Sequence, residues 1–404
     1  MTMNHRVPRV AIVSTHPIQY HTPWFRALAS RPDIEMTVLY CHKASPQDQA
    51  KAGFGVEFDW DVSLLDGYRW EYLSNVASKP GMNFWGMDTP GLRKKIDGGE
   101  FDAVVLNGWH YKSAWQAMQA CWRTGTPIMG RGDSNLKTPR HPVKMGAKWP
   151  FYRFFIPRLD SCLAVGAWSR EYFLHYGAHP DRVLQVPHTV DSDRISSEAL
   201  GWAEKRVELR RKWSLTEDDV VFLFVGKFLE GKRPLDFVRA IGQARRIGAK
   251  VSGLMVGDGA LRPACATEAE ESAVPVRFTG FLNQREIVQS YVAADALVLP
   301  SAAETWSVVV NEAMVCGRPC FLSDQIGCTP DLIDEGKTGA TFPCGDVDRL
   351  AALLKQYADR QVLNAMGERA RGKISDYTPT EAAARLVEAV RSTLDKTGKT
   401  RRVA

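Results

Sequence analysis

Short runs of apolar, β-branched residues alternate with amphipathic stretches along most of the chain. This pattern predicts strand–helix–strand units that form parallel sheets. In the first half the predicted strands are 9–14, 36–41, 103–106, 127–129, 162–165 and 183–186. The helices predicted there are 23–30, 112–123 and 168–176. The alternation pauses in the charged segment 191–219 and restarts with the apolar run at 220–225.

The restart predicts a second αβα domain, since a composition shift of this kind is typical of a domain boundary. Its predicted strands are 220–225, 251–256, 276–279, 296–299 and 320–323. We therefore predict an α/β fold with two Rossmann-like αβα domains, 1–195 and 205–374, facing a central cleft. Residues 375–404 are predicted to supply a helix, 380–394, that crosses back to the first domain, and a basic tail. Ligands bind at the carboxyl ends of such strands, so the cleft is the predicted active site.

One stretch does not follow the alternation. Residues 43–100 are irregular and rich in aromatic residues, including the run FGVEFDWDVSLLDGYRW. The stretch is too long for a simple loop. We interpret it as an insertion in the first domain with local structure of its own and as a candidate binding segment.

Composition narrows the class of protein. A length of 404 residues exceeds what one core usually organises, and a formal charge of +6 is too small to indicate a nucleic-acid binder. No apolar run approaches the ~20 residues of a membrane span, and the amino terminus is typical of a strand rather than a signal peptide. Eight scattered cysteines without a CxxC pair favour a reduced, cytoplasmic location and argue against structural zinc.

Two carboxylates stand out in the segment LPSAAETWSVVVNEAMVCGRPC, which follows a buried strand and opens a helix. Glu304 precedes the helix and Glu312 lies in its second turn, so the two carboxylates do not share a helical face by spacing alone. Ser307 and Val308 fall at the first turn, where free N–H groups and the helix dipole favour a phosphate. Taken alone, such a pair is more often a solvated surface.

Two lysines lie on a glycine-bearing loop directly after the strand 220–225. In VGKFLEGKRP, Lys227 and Lys232 place ammonium groups where they can neutralise a diphosphate without a metal ion. The later loop VGDGALR repeats the strand–glycine–helix arrangement with Gly257. Each lysine by itself is equally consistent with a surface charge, and a lone Gly-Asp-Gly is a weak signal.

In this order the residues resemble the GT-B glycosyltransferases of the large retaining family 4. The resemblance covers nearly the whole chain and is densest over 220–339. The matching positions are the diphosphate-loop residues Gly226, Lys227 and Lys232, the glutamates Glu304 and Glu312, and Ser323, Asp324 and Gly327 of the Ser-Asp-x-x-Gly motif.

The resemblance implies a role for each donor-site residue. Glu312 would bind the ribose hydroxyls of the nucleotide, and Glu304 would contact the transferred sugar. Backbone amides near Ser307 and Val308 would hold phosphate. Phe281 and Leu282 fall where family members pack the base and bind it through the backbone.

The resemblance also implies a reaction: sugar transfer with retention from a nucleotide-diphosphate sugar to a hydroxyl acceptor, through an oxocarbenium-like displacement and without a cofactor or metal. The predicted catalytic residues are Glu304, Lys232, Lys227 and His110. A sugar-nucleotide epimerase or a glycan phosphorylase of the same architecture, and a catalytically silent sugar-nucleotide-binding protein, are the alternatives. The sequence leaves the identity of the acceptor open between a lipid-linked or surface-polysaccharide intermediate and a soluble molecule.

The first half departs from the family pattern. Asn107 stands where many members have a histidine, and the first loop, THPIQYH, has no glycine. The segment ending in VPHTVD resembles the stretch that closes the domain, with a structural role. His110 is equally consistent with a structural histidine, and Arg131 with an ion pair to Asp133. The candidate acceptor- or sugar-side residues are His16, Gln19, Asn107, His110, Arg131 and Asp133.

The stretch 137–158 is basic and aromatic. Between residues 134 and 159 there are six Lys or Arg residues, five aromatic residues and no acid. Such a stretch can lie on an anionic membrane, where each cation adds ~1 kcal/mol, and would place the protein at the inner membrane face. The alternative is a packed helix whose aromatic residues belong to the core. A nucleic-acid partner is remote.

Overall fold

The computed structural model describes residues 6–50, 53, 56–138 and 142–398. The chain divides into two units. Unit 1 comprises Met1–Asp48, Ser63–Thr189 and Pro379–Ala404. Unit 2 comprises Gln49–Val62 and Val190–Thr378.

The described residues of unit 1 form a seven-stranded parallel sheet with the order β3-β2-β1-β4-β5-β6-β7. Its strands are β1 (Arg9–Ser14), β2 (Glu35–Tyr40), β3 (Trp70–Tyr72), β4 (Ala103–Asn107), β5 (Ile128–Gly132), β6 (Ser161–Ala164) and β7 (Val183–Gln185). Strand β1 pairs with both β2 and β4, so the strand order reverses there. Loops at the carboxyl ends of strands beside such a reversal are the usual place for a ligand.

The helices of the first half lie on both faces of this sheet. They are α1 (Thr22–Ala29), α2 (Pro46–Gln49), α3 (Gly91–Asp97), α4 (Lys112–Thr124), α5 (Pro142–Phe155) and α6 (Ala167–His175). Successive residues of β1 point to opposite faces, as the pleat of a strand requires. Val10 and Ile12 join one apolar core with α1, and Ala11 and Val13 join a second core with α4.

The last helix of the described chain, α16 (Pro379–Lys396), belongs to unit 1. Its apolar face, including Leu386 and Val390, is part of the same core as β1 and α1. The hydroxyls of Thr393 and Ser161 lie 2.8 Å apart in the buried contact with β6. Strand β6 and α16 are thus joined by polar as well as apolar contacts.

The described residues of unit 2 form a six-stranded parallel sheet with the order β10-β9-β8-β11-β12-β13. Its strands are β8 (Val220–Val225), β9 (Val251–Val256), β10 (Val276–Gly280), β11 (Ala296–Leu299), β12 (Cys320–Ser323) and β13 (Gly339–Phe342). Its helices are α7 (Ser192–Ala203), α8 (Arg206–Lys212), α9 (Pro234–Arg246), α10 (Arg262–Glu271), α11 (Ile287–Ala293), α12 (Val308–Val315), α13 (Thr329–Leu332), α14 (Val347–Gln356) and α15 (Arg360–Ile374). The predicted pair of Rossmann-like αβα domains is confirmed.

The insertion predicted at 43–100 does not stay within the first domain. Its part 49–62 belongs to unit 2, while 63–100 contains β3, a short 3₁₀ turn (Phe84–Gly86) and α3 in unit 1. The chain passes from unit 1 to unit 2 between Thr189 and Val190, earlier than the predicted boundary at 195. The predicted basic tail beyond 398 lies outside the described residues. None of the described helices has the length and apolar character that a membrane crossing demands.

Candidate active site

Two lysines lie beyond the carboxyl end of β8, on the loop 226–233 that the sequence predicts to bind a diphosphate; we call it the phosphate loop. Gly226 and Lys227 follow the strand directly, and Lys232 ends a 3₁₀ turn just before α9. The ammonium group of Lys232 forms an ion pair with the Glu304 carboxylate. Ser301 Oγ donates to Glu304 Oε1 at 3.0 Å. The structure therefore brings together a lysine and a glutamate that are 72 positions apart in the sequence.

Lys227 lies beside the same charge cluster and is partly buried. Burial lowers the pKa of Lys227, the positive charge of Lys232 lowers it further, and Glu304 acts in the opposite direction. Two ammonium groups close together repel each other, and an anion bound beside them would reduce that repulsion. The cluster is therefore suited to an anionic ligand such as a diphosphate.

Gly257 allows the loop after β9 to lie very close to the loop after β8. It has a positive φ of 124°, and a Cβ there would lie 2.0 Å from the carbonyl oxygen of Gly226. No side chain fits at that distance, so glycine is required for the loop after β9 to touch the phosphate loop.

Glu304 is held by backbone pairing rather than by a helix. Its N–H donates to the carbonyl of Gln325 at 3.3 Å, and its carbonyl accepts from the N–H of Gly327 at 3.1 Å. A Cβ at Gly327 would lie 1.8 Å from the carbonyl oxygen of Thr305. The glycine of the Ser-Asp-x-x-Gly motif therefore allows the Glu304 loop to lie against the segment after β12.

Helix α12 starts after a residue in an unusual conformation. Ser307, its N-cap, has a φ of 86° in the left-handed region, which is uncommon for a residue other than glycine. Such backbone strain is found most often at functional sites. Trp306 is buried, and its indole N–H donates to Asn311 Oδ1 at 3.0 Å. This contact helps to hold the turn that places Ser307 and Val308 at the helix start.

Glu312 lies inside unit 2 and is only 5% exposed. The hydroxyl of Tyr291, on α11, donates to Glu312 Oε2 at 2.7 Å. Burial raises the pKa of Glu312, whereas hydrogen bonds from Tyr291 and Gln284 and the charge of Arg194 oppose this shift. A shielded carboxylate of this kind is a strong acceptor for ligand hydroxyls that enter the same dry environment.

Phe281 and Leu282 follow β10 at the same edge of the sheet as the phosphate loop, because all strands of this sheet run parallel. Both side chains are half-buried. The structure thus places the two predicted base-site residues on the loop next to Gly257, whose N–H donates to the carbonyl of Gly280 at 2.9 Å.

Unit 1 has its own polar cluster, at the carboxyl ends of β4 and β5. Arg131 is 2% exposed, and its guanidinium donates to the carbonyls of Val186 and Pro187 at 3.3 and 2.8 Å. It also donates to Asn107 Oδ1 at 3.2 Å and lies over the ring of Trp24, 4.7 Å from its centroid. Burial lowers the pKa of Arg131 to about 10.

Two histidines complete this cluster, although the sequence assigned neither of them to the site. Asn107 Nδ2 lies 3.2 Å from Nδ1 of His21, and Asp133 Oδ2 lies 3.5 Å from Nε2 of His188. Burial lowers the pKa of both histidines, so their neutral forms are favoured. His188 lies in the segment ending in VPHTVD, to which the sequence assigned only a structural role. The imidazole of His21 lies directly beside Asn107, where the family pattern has a histidine.

The remaining first-half candidates lie apart from these contacts. His16 Nδ1 is 3.0 Å from Thr15 Oγ1, and burial is the main cause that lowers the pKa of His16 to about 4. Gln19 is half-buried, and His110 is exposed with its ring edge against Tyr111. Within the described part of the chain, no three His, Cys, Asp or Glu side chains are grouped to hold a metal ion.

Comparison with known proteins gives matches in both units. The model "Glycosyl transferases group 1" matches residues 205–373, and "Glycosyltransferase Family 4" matches residues 24–194. The D-inositol 3-phosphate glycosyltransferase of Geodermatophilus obscurus is 30% identical over 222 residues, covering 51% of this chain and 47% of the relative. The sulfoquinovosyl transferase of Arabidopsis thaliana is 34% identical over 246 residues, covering 55% of this chain and 46% of the relative. The chain thus spans about half the length of these curated relatives.

The fold has close counterparts among solved structures. Anabaena HepE, solved in complex with UDP and glucose, superposes with a TM-score of 0.69 at 16% identity, covering 95% of this chain and 100% of HepE. The two family models together cover most of the chain, residues 24–194 and 205–373, and the fold agrees with them. This chain belongs to the group 1, family 4 glycosyltransferases, with the GT-B fold.

Proposed function

We propose that this protein is a retaining glycosyltransferase that moves a sugar from a nucleotide-diphosphate sugar to a hydroxyl acceptor. The observation that carries the proposal is the charge cluster of Lys227, Lys232 and Glu304 at the carboxyl edge of the unit 2 sheet, in the same unit as the buried Glu312. A nucleotide diphosphate needs cationic groups for its phosphates and a carboxylate that accepts hydrogen bonds from its ribose hydroxyls. Both lie at one edge of this sheet.

The lysines supply the electrostatic part of the reaction. When the sugar leaves, negative charge grows on the diphosphate, and Lys232 is placed to stabilise it without a protein nucleophile. In the structure the carboxylate of Glu304 balances this ammonium group. A diphosphate would take over that role and leave Glu304 available to the transferred sugar. It would also raise the pKa of Lys227, so protonation of Lys227 and donor binding favour each other.

Glu312 and the start of α12 bind the rest of the nucleotide in this scheme. The carboxylate accepts hydrogen bonds from the ribose hydroxyls, and N–H groups at Ser307 and Val308 face a phosphate. No cofactor or metal is needed, since the nucleotide sugar is a co-substrate and the cations are side chains.

Acceptor binding is assigned to the polar residues of unit 1. Arg131 is the buried residue of that surface; Asn107, Asp133, His16 and Gln19 are partly exposed, and His110 is exposed. The neutral His21 beside Asn107 supplies an imidazole in this region. These groups suit a hydroxyl-bearing acceptor in cell-surface polysaccharide or glycolipid synthesis.

The first test is nucleotide binding. We expect one or more of UDP, GDP, ADP and dTDP to raise the melting temperature by several degrees at 100 times Kd, since ligand binding to the folded state alone adds ~2.7 kcal/mol. HepE was solved with UDP, which makes UDP the first choice. NMR of the product formed from the matching donor should show the anomeric configuration retained. The proposal would be contradicted if none of the four nucleotides raised the melting temperature.

We further propose that α5 lies on an anionic membrane surface. Trp149, Phe151 and Phe154 are 48%, 47% and 50% exposed, whereas Phe155 of the same helix is buried in the core. The exposed cation Arg153 lies over the Trp149 ring, at 5.6 Å from its centroid. Phe155 thus fits the interpretation of a packed helix, and the three exposed rings support the proposed membrane contact. Arg140 lies outside the described residues.

Vesicle binding tests this surface. The wild type should sediment with vesicles that contain phosphatidylserine and not with neutral phosphatidylcholine vesicles, and 0.5 M salt should weaken the binding. The double variant Phe151→Ser, Phe154→Ser should bind about tenfold or more weakly, because the two half-exposed rings together offer about the free area of one whole ring, whose burial contributes ~1.5–3 kcal/mol. Trp85→Ser is the control, since Trp85 is 72% exposed elsewhere in unit 1. Equal binding of the wild type to both kinds of vesicle would refute the proposal.

A further inference from the structure

A short piece of the first half of the sequence is part of unit 2. The chain belongs to unit 1 as far as Asp48, joins unit 2 over Gln49–Val62 and belongs to unit 1 again from Ser63. The rest of unit 2 comes from residues after 189. We call residues 56–62, VEFDWDV, the strap.

Hydrogen bonds join the strap to the loop after β10. The Asn283 side-chain amide donates to the carbonyl of Asp59 at 2.8 Å. The backbone N–H of Arg285 donates to Asp61 Oδ2 at 3.1 Å. Both contacts link residues 224 positions apart. The strap is thus attached to the loop that begins with Phe281 and Leu282.

Aromatic rings connect the same two segments. The centroid of the Phe58 ring lies 4.3 Å from that of Phe281, with the ring planes inclined by 35°. Trp60 stands edge-on to Phe58, at 4.8 Å between centroids. All three side chains are half-buried, so each retains accessible surface. The rings therefore form one aromatic cluster on which a planar ligand can pack.

Gly53, three positions before the strap, lies on the phosphate loop. A Cβ at Gly53 would be 3.3 Å from Cδ of Lys227 and 3.1 Å from Cδ1 of Leu229. Gly53 therefore touches the loop that carries the lysines, and the strap touches the loop that carries Phe281. These are the two loops assigned to the diphosphate and the base.

We propose that the strap forms a wall of the donor-nucleotide site and that Phe58 contacts the nucleobase. This inference rests on the proposed function, because it takes the donor to be a nucleotide. Every base has an aromatic face, and an aromatic side chain next to a cationic backbone-binding surface is the usual means of holding it. Phe58 extends the Phe281 surface, and Gly53, five positions earlier in the chain, contacts Lys227.

Calorimetric titration of the 404-residue chain with UDP tests the role of Phe58. Stacking of a base on an aromatic side chain corresponds to about 5- to 150-fold in affinity, so Phe58→Ala should weaken UDP binding by about tenfold or more. Phe58→Tyr should bind UDP like the wild type. Phe58→Leu, which keeps apolar bulk without a flat ring, should lie between the wild type and Phe58→Ala. The control Trp85→Ala removes an exposed ring of unit 1 and should change nothing.

The other outcomes are distinct. If Phe58→Leu binds UDP as well as the wild type, the ring only packs against Phe281 and the inference is wrong. Unchanged affinity in Phe58→Ala would place the base elsewhere, and tighter binding would show that Phe58 occupies the position of the base. Failure of the wild type to bind UDP, GDP, ADP or dTDP would instead refute the proposed function, and the inference with it. Melting temperatures of the ligand-free variants show that each is folded.

Discussion

Replacing Lys232 with alanine is expected to lower kcat by about 100- to 1,000-fold, the range found when one group that stabilises developing negative charge is removed from an active site. The ammonium group of Lys232 forms an ion pair with Glu304 and is placed beside Lys227 at the end of β8. Without it, less positive charge faces the departing diphosphate. The measurement is release of nucleotide from the donor identified by thermal screening, at saturating donor concentration.

The fold should survive this substitution. The side chain of Lys232 is 29% exposed, and ion pairs of partly exposed side chains contribute only about 0–1 kcal/mol to stability. Lys250→Ala is a matched control, because Lys250 is an exposed lysine of the same unit. A folded Lys232→Ala enzyme with the turnover of the Lys250→Ala enzyme would show that Lys232 does not stabilise the leaving group.

Glu312→Gln is expected to weaken UDP binding about 10- to 100-fold without loss of stability. A hydrogen bond to a carboxylate contributes ~1.5–3 kcal/mol, and the amide is a weaker acceptor for ribose hydroxyls. The contact with Tyr291 can persist, because the amide oxygen still accepts its O–H. Calorimetric titration with UDP at pH 7 measures the affinity of the wild type and the variant.

The stability of this variant has a defined pH dependence. Burial raises the pKa of Glu312 above its ordinary value of 4.5, so the folded state holds the proton more tightly than the unfolded chain. The contribution of Glu312 to stability is therefore greatest below pH 4.5 and declines as the pH rises through the folded-state pKa. Glutamine has no such decline, so the variant should melt at or above the wild-type temperature at pH 7. Loss of both affinity and stability would point to a purely structural role.

The parallel sheets were predictable because their central strands are continuous apolar runs. Strands β1, β8, β9, β11 and β12 have the predicted bounds. The strands that were missed, β3 and β13, are three and four residues long and lie at sheet edges. An edge strand buries less surface, so its sequence needs less apolar character; Trp70 of β3 is 38% exposed.

The candidate site was predictable where short motifs follow the strands of one parallel sheet. Lys227, Lys232 and Glu304 follow strands whose ends meet at one edge of a parallel sheet, which spacing and topology predict together. The joining of residues 49–62 to unit 2 was not predictable. It depends on contacts such as Asn283 with Asp59, which no local pattern encodes. The buried state of Arg131 likewise results from backbone carbonyls at Val186 and Pro187 that the sequence does not mark.

The return of α16 to unit 1 has a consequence for synthesis of the chain. The ribosome makes the chain from its amino terminus onward, and domains generally fold as units while synthesis continues. Unit 2 has all of its residues once Thr378 is made, whereas the core of unit 1 still lacks Leu386 and Val390. The domain that is begun first is therefore completed last. Until α16 is made, the apolar face of the sheet around Val10 and Ile12 lacks part of its partner.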